Sequence, residues 1–393
     1  MFAGMRGTAS WGADERPKNF REYILWANPN GSAPLTALLA RARSEKVDDP
    51  EFNWWQERLQ AVRVVINFTT GYVSTDNTLT ISSGGLQLVP GDVLMVEGTE
   101  AATYSNELML VSSVTSNTVI VVKRGIAGST AAAISNGFGI TKVGSAHAEG
   151  TTAPAIALRN PTKQTNYTQI FKTSVGLTRT ASQTYARTGE AWKNDKKRKA
   201  FDHSVDIEMA FLFGRPSEDT SGTYPQRYTG GLRFFITTNS TVFTTTPTED
   251  TFMNAIFKVF DYNKNSGAGD QRVILAGNGF LNSLNRLAKN SSSTRINFDG
   301  TIKIMGMELQ KWVLPQGTFA VRTHPLLNLH SRYTNSAFVL DFSNLVYRPL
   351  QDTIFTDNVQ LKKEDRREGL WLTECGLEVQ HEYTMAYLGN FVV

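Results

Sequence analysis

The chain is poor in the residues that most often carry covalent or metal chemistry. One cysteine, Cys375, stands among 393 residues, so no intrachain disulfide can form and a reducing compartment is the default. The five histidines form no cluster with that cysteine. Charged residues make up only 19%, low for a soluble enzyme of this size, and Thr, Ser, Asn and Gly carry much of the polarity instead. No run approaches the roughly 18 apolar residues that a membrane helix needs. The N-terminal MFAGMRGTASWGADERPKNF lacks an apolar h-region, so no signal peptide is read and folding in a cytoplasm is expected. The net charge of +4 is mildly basic and suits solubility better than nucleic-acid affinity. With 40% hydrophobic residues the chain is globular and long enough for two or three cores.

What is present is organised around the stretch 181–213, ASQTYARTGEAWKNDKKRKAFDHSVDIEMAFLF. Phe201, Val205, Met209 and Leu212 recur at helical spacing and define an apolar stripe. Gly214 and Pro216 stop the helix: glycine tolerates a left-handed cap, and proline cannot donate the next hydrogen bond. A helix over the whole stretch would be about 50 Å long. Gly189 and the polar first half leave its start open by a turn or more.

Upstream, the chain reads as extended. Residues 1–50 carry scattered aromatics (Trp11, Phe20, Tyr23, Trp26) and one short helical piece at 35–45. An arm with large aromatics and no periodic face cannot make its own core, so it is expected to lie along its own domain or a neighbour. A strand is read over 60–68, with Val62, Val64, Ile66 and Phe68 on one face. From 69 to 143, short strands and turns at regular spacing indicate an all-β module. It includes a turn at Pro90-Gly91-Asp92 and a hairpin of 107–114 with 118–123 around a three-residue turn. Extended polar sequence returns over 144–180, where Tyr167, Gln169 and Phe171 alternate with Thr168, Ile170 and Lys172. The limbs 57–68 and 144–180 are expected to form a long hairpin carrying the module.

Downstream, strand–helix alternation indicates an α/β or α+β domain over 223–345. Thr248 caps a helix with Glu249 and Asp250 in its first turn and Phe252, Ile256, Val259 and Phe260 as its stripe. A buried strand, RVILAGN, an amphipathic helix, GFLNSLNRLAK, and two β-rich runs, GTFAVRT and SAFVLDFSNLVYRPL, follow. The end reads as one strand. Trp371, Cys375, Leu377, Val379, Tyr383, Met385 and Tyr387 cover the long helix; Glu374, Glu378, Gln380, Glu382 and Thr384 face away. Cys375 is then a core thiol, since a catalytic thiol needs an electropositive, partly exposed setting.

Four constellations invite a chemical reading. Asp261, Asn263, Asn265 and Gly267 resemble a calcium loop, but Ser266 and Arg272 occupy the positions that need Gly and a bidentate Glu. His203, Asp206 and Glu208 lie close on the helix; only the first two share a face, and two residues make neither a metal site nor a triad, so a polar helix surface is expected. Gly277-Asn278-Gly279 lacks the third glycine and the Gly-Lys-Ser/Thr ending of a phosphate cradle. The basic run Lys193, Lys196, Lys197, Arg198 and Lys199 is a solvated helix face or an electrostatic surface for nucleic-acid phosphate or an acidic neighbour. No catalytic residue, metal ligand or cofactor is assigned, and an enzyme reading has nothing to rest on.

The segments VDDPEFNWWQERL at 47–59, NPTKQTNYTQIFKTSVGLTRT at 160–180, KNDKKRKAFDHSVDIEMAFLFGRP and YTGGLRFF at 228–235 share a texture with one group of phage head proteins. So do PGDVLMVEG and VTSNTVIVVKRGIAGST in the module. With the order of segments, the chain resembles the major capsid protein of tailed double-stranded DNA bacteriophages, a fold shared with encapsulins and the herpesvirus capsid floor.

The resemblance implies an α+β fold. Its parts are an N-terminal arm (1–56), an extended loop (57–68 and 144–180), a β-rich insertion domain (69–143), a peripheral domain with a spine helix (181–222 and 346–393) and an axial domain (223–345). It implies hexamers and pentamers of an icosahedral shell enclosing double-stranded DNA, built in the host cytoplasm and located in the virion. Portal, scaffolding and cement or decoration proteins are the implied partners, and no membrane is involved. Intersubunit contacts are expected at Trp11, Trp26, Arg159, Lys163, Tyr167 and Phe171. No lysine–asparagine crosslink is predicted, and the chain is expected to assemble uncleaved. Two alternatives stay open: a tail or baseplate adhesion protein with a carbohydrate-binding module, for which the aromatics Phe68, Tyr72, Tyr104 and Phe138 are few, and an encapsulin-like shell around a cargo.

Overall fold

The computed structural model describes residue 35 and residues 43–57, 62–97, 106–154, 156–157, 161–186, 188–262, 271–290, 298–304 and 307–393. Trp11, Trp26, Tyr104 and Arg159, and most of the calcium-like loop, lie outside the described residues. The chain divides into two compact units: Trp55–Lys163, and Met1–Trp54 with Gln164–Val393.

The larger unit is α+β and holds two main sheets. The first has seven strands, in the order Ser240–Val242, Ala386–Gly389, Ala337–Leu340, Gln271–Ala276, Gly317–Thr323, Met307–Leu314, Phe298–Ile304. Its central strand shows why the run RVILAGN has no polar alternation: both faces are covered. Val273 and Leu275 enter one core, and Ile274 and Ala276 enter the other. The second core is filled by the helices Glu249–Phe257 and Asn278–Asn290, with Phe252 stacked on Trp312 at 5.9 Å. Thr248 caps the first of these helices: its side chain accepts from the Thr251 amide, and the Thr251 side chain completes the capping box.

The second sheet has four strands, in the order Arg43–Ser44, Leu345–Asp357, Arg366–Val379, Gln169–Thr178. The long helix, Ala191–Phe213, packs against its last two strands. That helix is about 35 Å long, shorter than the whole expected stretch. A separate short helix, Arg179–Gln183, precedes it, and Gly189 takes a positive φ of 88° in the break. The buried face also differs from the expected stripe. His203, Ile207, Glu208, Phe211 and Leu212 are buried, whereas Phe201, Val205 and Met209 are only half-buried. Gly214 ends the helix at φ −58°, outside the left-handed region. A Cβ there would lie 2.3 Å from the Thr229 carbonyl and 2.5 Å from that of Ala210, so the glycine answers a close approach of chain segments.

The expected single C-terminal strand is two strands in different sheets. Arg366–Val379 ends in the four-stranded sheet, His381 turns the chain at φ 49°, and Ala386–Gly389 joins the seven-stranded sheet. The run SAFVLDFSNLVYRPL crosses the same way at Asp341–Asn344. Asn344 ties the two crossings together, donating to Asp341 Oδ2 and to Thr384 Oγ1, both at 3.0 Å. Thr384 and Glu378, expected to face away, are therefore buried; Glu378 pairs with Arg348 at 2.5 Å.

The smaller unit is a six-stranded sheet, in the order Arg63–Val65, Gly139–Ser145, Asp92–Val96, Leu108–Ser116, Val119–Lys123, Thr78–Thr80. Leu79, Leu94, Met109, Ile120 and Ile140 are fully buried in its core. The limb 57–68 contributes the strand Arg63–Val65, and the module's last strand, Gly139–Ser145, runs on into the other limb, so this unit is wider than 69–143. The hairpin turns at Asn117 and Thr118, two residues where three were expected. Gly91 turns at φ 95°. One buried ion pair braces the unit: Arg124 Nε lies 2.5 Å from Glu107 Oε1, and the guanidinium also donates to the carbonyls of Val73, Asp76 and Ala132.

Candidate assembly surfaces

The long helix is the frame on which the larger unit's surfaces are fixed, and buried polar contacts hold it. His203 sits between two strands of the sheet. Its Nδ1 meets Thr173 Oγ1 at 2.9 Å and its Nε2 meets Thr373 Oγ1 at 2.8 Å, and Thr373 continues to Thr353 Oγ1 at 2.8 Å. Burial pushes its pKa below the ordinary histidine value, against a smaller opposing pull from Asp206. Glu208 is fully buried and accepts from His324 Nε2 at 2.7 Å and from the Leu35 amide at 2.9 Å. The expected polar helix surface is thus corrected: His203 and Glu208 point inward, in different directions, and only Asp206 is exposed.

The basic run divides by structure. Lys196 Nζ lies 3.7 Å from the centroid of the Phe355 ring, and Phe355 packs on Trp371 at 4.8 Å. Arg367, from the sheet, covers the Trp192 ring at 4.3 Å. These cation–π contacts pin the first half of the helix to the outer half of the Leu345–Asp357 and Arg366–Val379 strands. Arg198 faces Asp195 at 3.9 Å and Lys199 faces Asp202 at 3.1 Å, exposed pairs of small energetic weight. Lys193 and Lys197 are exposed.

Of the expected contact residues, Lys163 is exposed and Tyr167 half-buried. Phe171 is buried in the core of its own unit and offers little surface to a neighbour. Beside it, Asn166 is fully buried and was not singled out by sequence. Its Nδ2 donates to the carbonyls of Leu377 (2.6 Å) and Gly230 (3.1 Å), and its Oδ1 accepts from the Gly230 and Tyr167 amides (2.6 and 2.8 Å). This asparagine fixes the chain entering the Gln169–Thr178 strand to the chain leaving the long helix. The alternation gave no signal for it, since that pattern sets Asn166 on the row of Thr168, Ile170 and Lys172, opposite Phe171.

Large apolar side chains are exposed on separate elements: Tyr185 (85%), Tyr224 (84%), Leu361 (72%) and Trp55 (66%). Two clefts of about 660 Å³ lie in the larger unit. One is lined by Leu177, Trp192, Arg367 and the segment before the long helix; the other by Met209, Phe213, Pro216 and Tyr228 at the helix end. Cys375 is buried in the core, as expected, and burial pushes its thiol up to about 12, so it stays protonated at neutral pH. Among the described residues no group of three or more His, Cys, Asp or Glu could hold a metal ion, and no helix is long and apolar enough to cross a membrane.

The sequence model of a family described as SU10 major capsid protein matches residues 4–391. A major capsid protein of Pseudomonas phage PaMx41 is 25% identical over 348 residues, covering 87% of this chain and 80% of that one. Among solved structures, the capsid of the native GTA particle is similar over 100% of both chains at 11% identity and a TM-score of 0.47. The capsid of Myoviridae phage XM1 covers 99% of this chain and 100% of its own at 10% identity and a TM-score of 0.45. An encapsulin from Synechococcus elongatus PCC 7942 covers 60% of this chain and 77% of its own at 11% identity and a TM-score of 0.43.

Proposed function

The chain belongs to the SU10 major capsid protein family, and from that premise we propose that it is the self-assembling tile of an icosahedral phage head, set in hexamers and pentamers around double-stranded DNA. The observation that carries the reading is the family match across 4–391, which takes in both compact units. The relatives give the tail-adhesion alternative no support. Apolar side chains exposed on several unrelated elements suit a subunit with many moderate interfaces, each ordinary alone and strong when repeated. The family gives a structural role, and the reading assigns the chain no catalysis.

Within this reading the parts keep their roles: arm (1–56), extended loop (57–68 and 144–180), insertion domain (69–143), peripheral domain (181–222 and 346–393) and axial domain (223–345). Two strands adjust them, since Gln169–Thr178 belongs to the sheet under the long helix and Ala386–Gly389 to the seven-stranded sheet. Trp11, Trp26, Arg159, Lys163 and Tyr167 are assigned to subunit contacts. Lys193 and Lys197 are assigned to packaged DNA or an acidic neighbour. Portal, scaffolding and decoration proteins are the further partners, the virion is the location, and assembly takes place in the host cytoplasm.

The test is direct. The purified chain, alone and with scaffolding protein, is imaged by electron microscopy. Rings, shells or tubes are expected; a monomer that persists at high concentration in both conditions contradicts the proposal.

A further inference from the structure

The segment leaving the long helix forms a small hairpin, Ser217–Asp219 paired with Gln226–Tyr228. Its connection carries Tyr224, which is 84% exposed. Asp219 stands beside it at the outer end of the strand. Its carboxylate is held below the ordinary carboxylate pKa by hydrogen bonds from the Ser221 side chain and, at 2.9 Å, from the Ser221 amide, and it makes no ion pair among the described residues. The neighbouring Glu218 is already paired with Arg227 at 2.8 Å. The outer end of the hairpin therefore presents an aromatic ring and an unpaired anion.

The base of the same hairpin borders the cleft of about 660 Å³ formed by Met209, Phe213, Pro216, Tyr228 and Gln169, a volume that accepts an aromatic side chain. At its rim stands Arg215, exposed and without an ion pair among the described residues. The cleft thus offers an apolar floor and an unpaired cation, the complement of the hairpin's outer end. Tyr224 does not line the cleft. Paired strands hold the outer end and the base apart, so a chain does not fill its own cleft.

We propose that the hairpin of one copy docks in this cleft of a neighbouring copy, with Tyr224 against Met209 and Phe213 and with Asp219 on Arg215. This deepens the self-assembly reading and rests on it. Knob and hole are different patches, so the contact is heterologous, and repetition closes a ring when the rotation allows. Tyrosine on an apolar floor, with a charge pair at the rim, is the usual composition of an interface centre.

The test uses full-length chains. Chains carrying Tyr224→Cys alone are co-assembled with chains carrying Ser217→Cys alone, at the exposed serine that lines the cleft, and then oxidised; the native Cys375 is buried. A disulfide-linked dimer that needs both variants is expected. In parallel, Asp219→Arg and Arg215→Asp should each lower particle yield about tenfold, and the double swap should restore it. Particles that form without the mixed dimer, and single swaps that leave yield unchanged, overturn the docking while self-assembly stands. Wild-type chain that never assembles overturns both.

Discussion

His203 is held by two threonine hydroxyls in a site that water does not reach, and its folded pKa lies below the unfolded value of about 6.5. The unfolded chain therefore binds a proton more readily than the folded chain. The stability this site contributes is fully present above about pH 6.5 and is lost as the pH falls from there toward the depressed folded value. The melting temperature of wild type should drop over that range more steeply than that of His203→Gln, whose amide makes hydrogen bonds and does not titrate. Parallel pH curves would refute the assignment. In the smaller unit, Arg124→Ala leaves the buried Glu107 carboxylate unpaired and should cost about 3–5 kcal/mol in urea unfolding. The double change Arg124→Met with Glu107→Gln should cost clearly less. Pairs of this kind were not legible in the sequence. Glu208 and His324 are 116 residues apart, and no periodicity links them. Local chemistry was legible: the cap at Thr248 acts within one helical turn, and the sequence of that turn alone determines it.

The long helix was found by its pattern, yet its buried face was misjudged. The stripe Phe201–Val205–Met209 is the more hydrophobic row, while the inward row includes His203 and Glu208, polar residues whose partners come from distant strands. Hydrophobic periodicity cannot see a satisfied buried polar group. The same limit hid the sheet crossings near Asp341–Asn344 and His381, because a strand pattern carries no mark of which sheet it joins. Helix ends are governed by space as well as by φ. Gly231 lies against the helix terminus, where a Cβ would sit 2.6 Å from the Ala210 carbonyl and 2.7 Å from that of Phe211. Gly231→Ala should therefore destabilise the larger unit by about 1–3 kcal/mol in denaturant unfolding, through overpacking against backbone that cannot yield. An unchanged midpoint would show that the two segments can part freely.

At the scale of the molecule, the unit boundary falls in a ribbon of Glu51–Gln56 with Thr162–Tyr167. The Thr168 amide bonds the Pro50 carbonyl at 2.8 Å, and Thr165 Oγ1 meets Asn53 Oδ1 at 2.6 Å, so Gln56 and Thr162 stand opposite each other. Joining them by a two-residue turn removes 57–161 and keeps the strands of the larger unit. That variant should retain a cooperative melt and fail to form particles. Deleting 145–180 instead would remove Phe171, Val175 and Asn166 from the core and should unfold the chain. The two units and the α+β class are seen in the structure, and the texture of the family was visible in sequence; the strands shared between sheets were not. The central claim is that this chain works by gripping copies of itself. Lysine crosslinking of a mixture of isotopically light and heavy chains, co-assembled and read by mass spectrometry, tests it most directly. The account predicts abundant light–heavy links on exposed elements such as Lys163, Lys193 and Lys362; links confined to light–light and heavy–heavy pairs would contradict it.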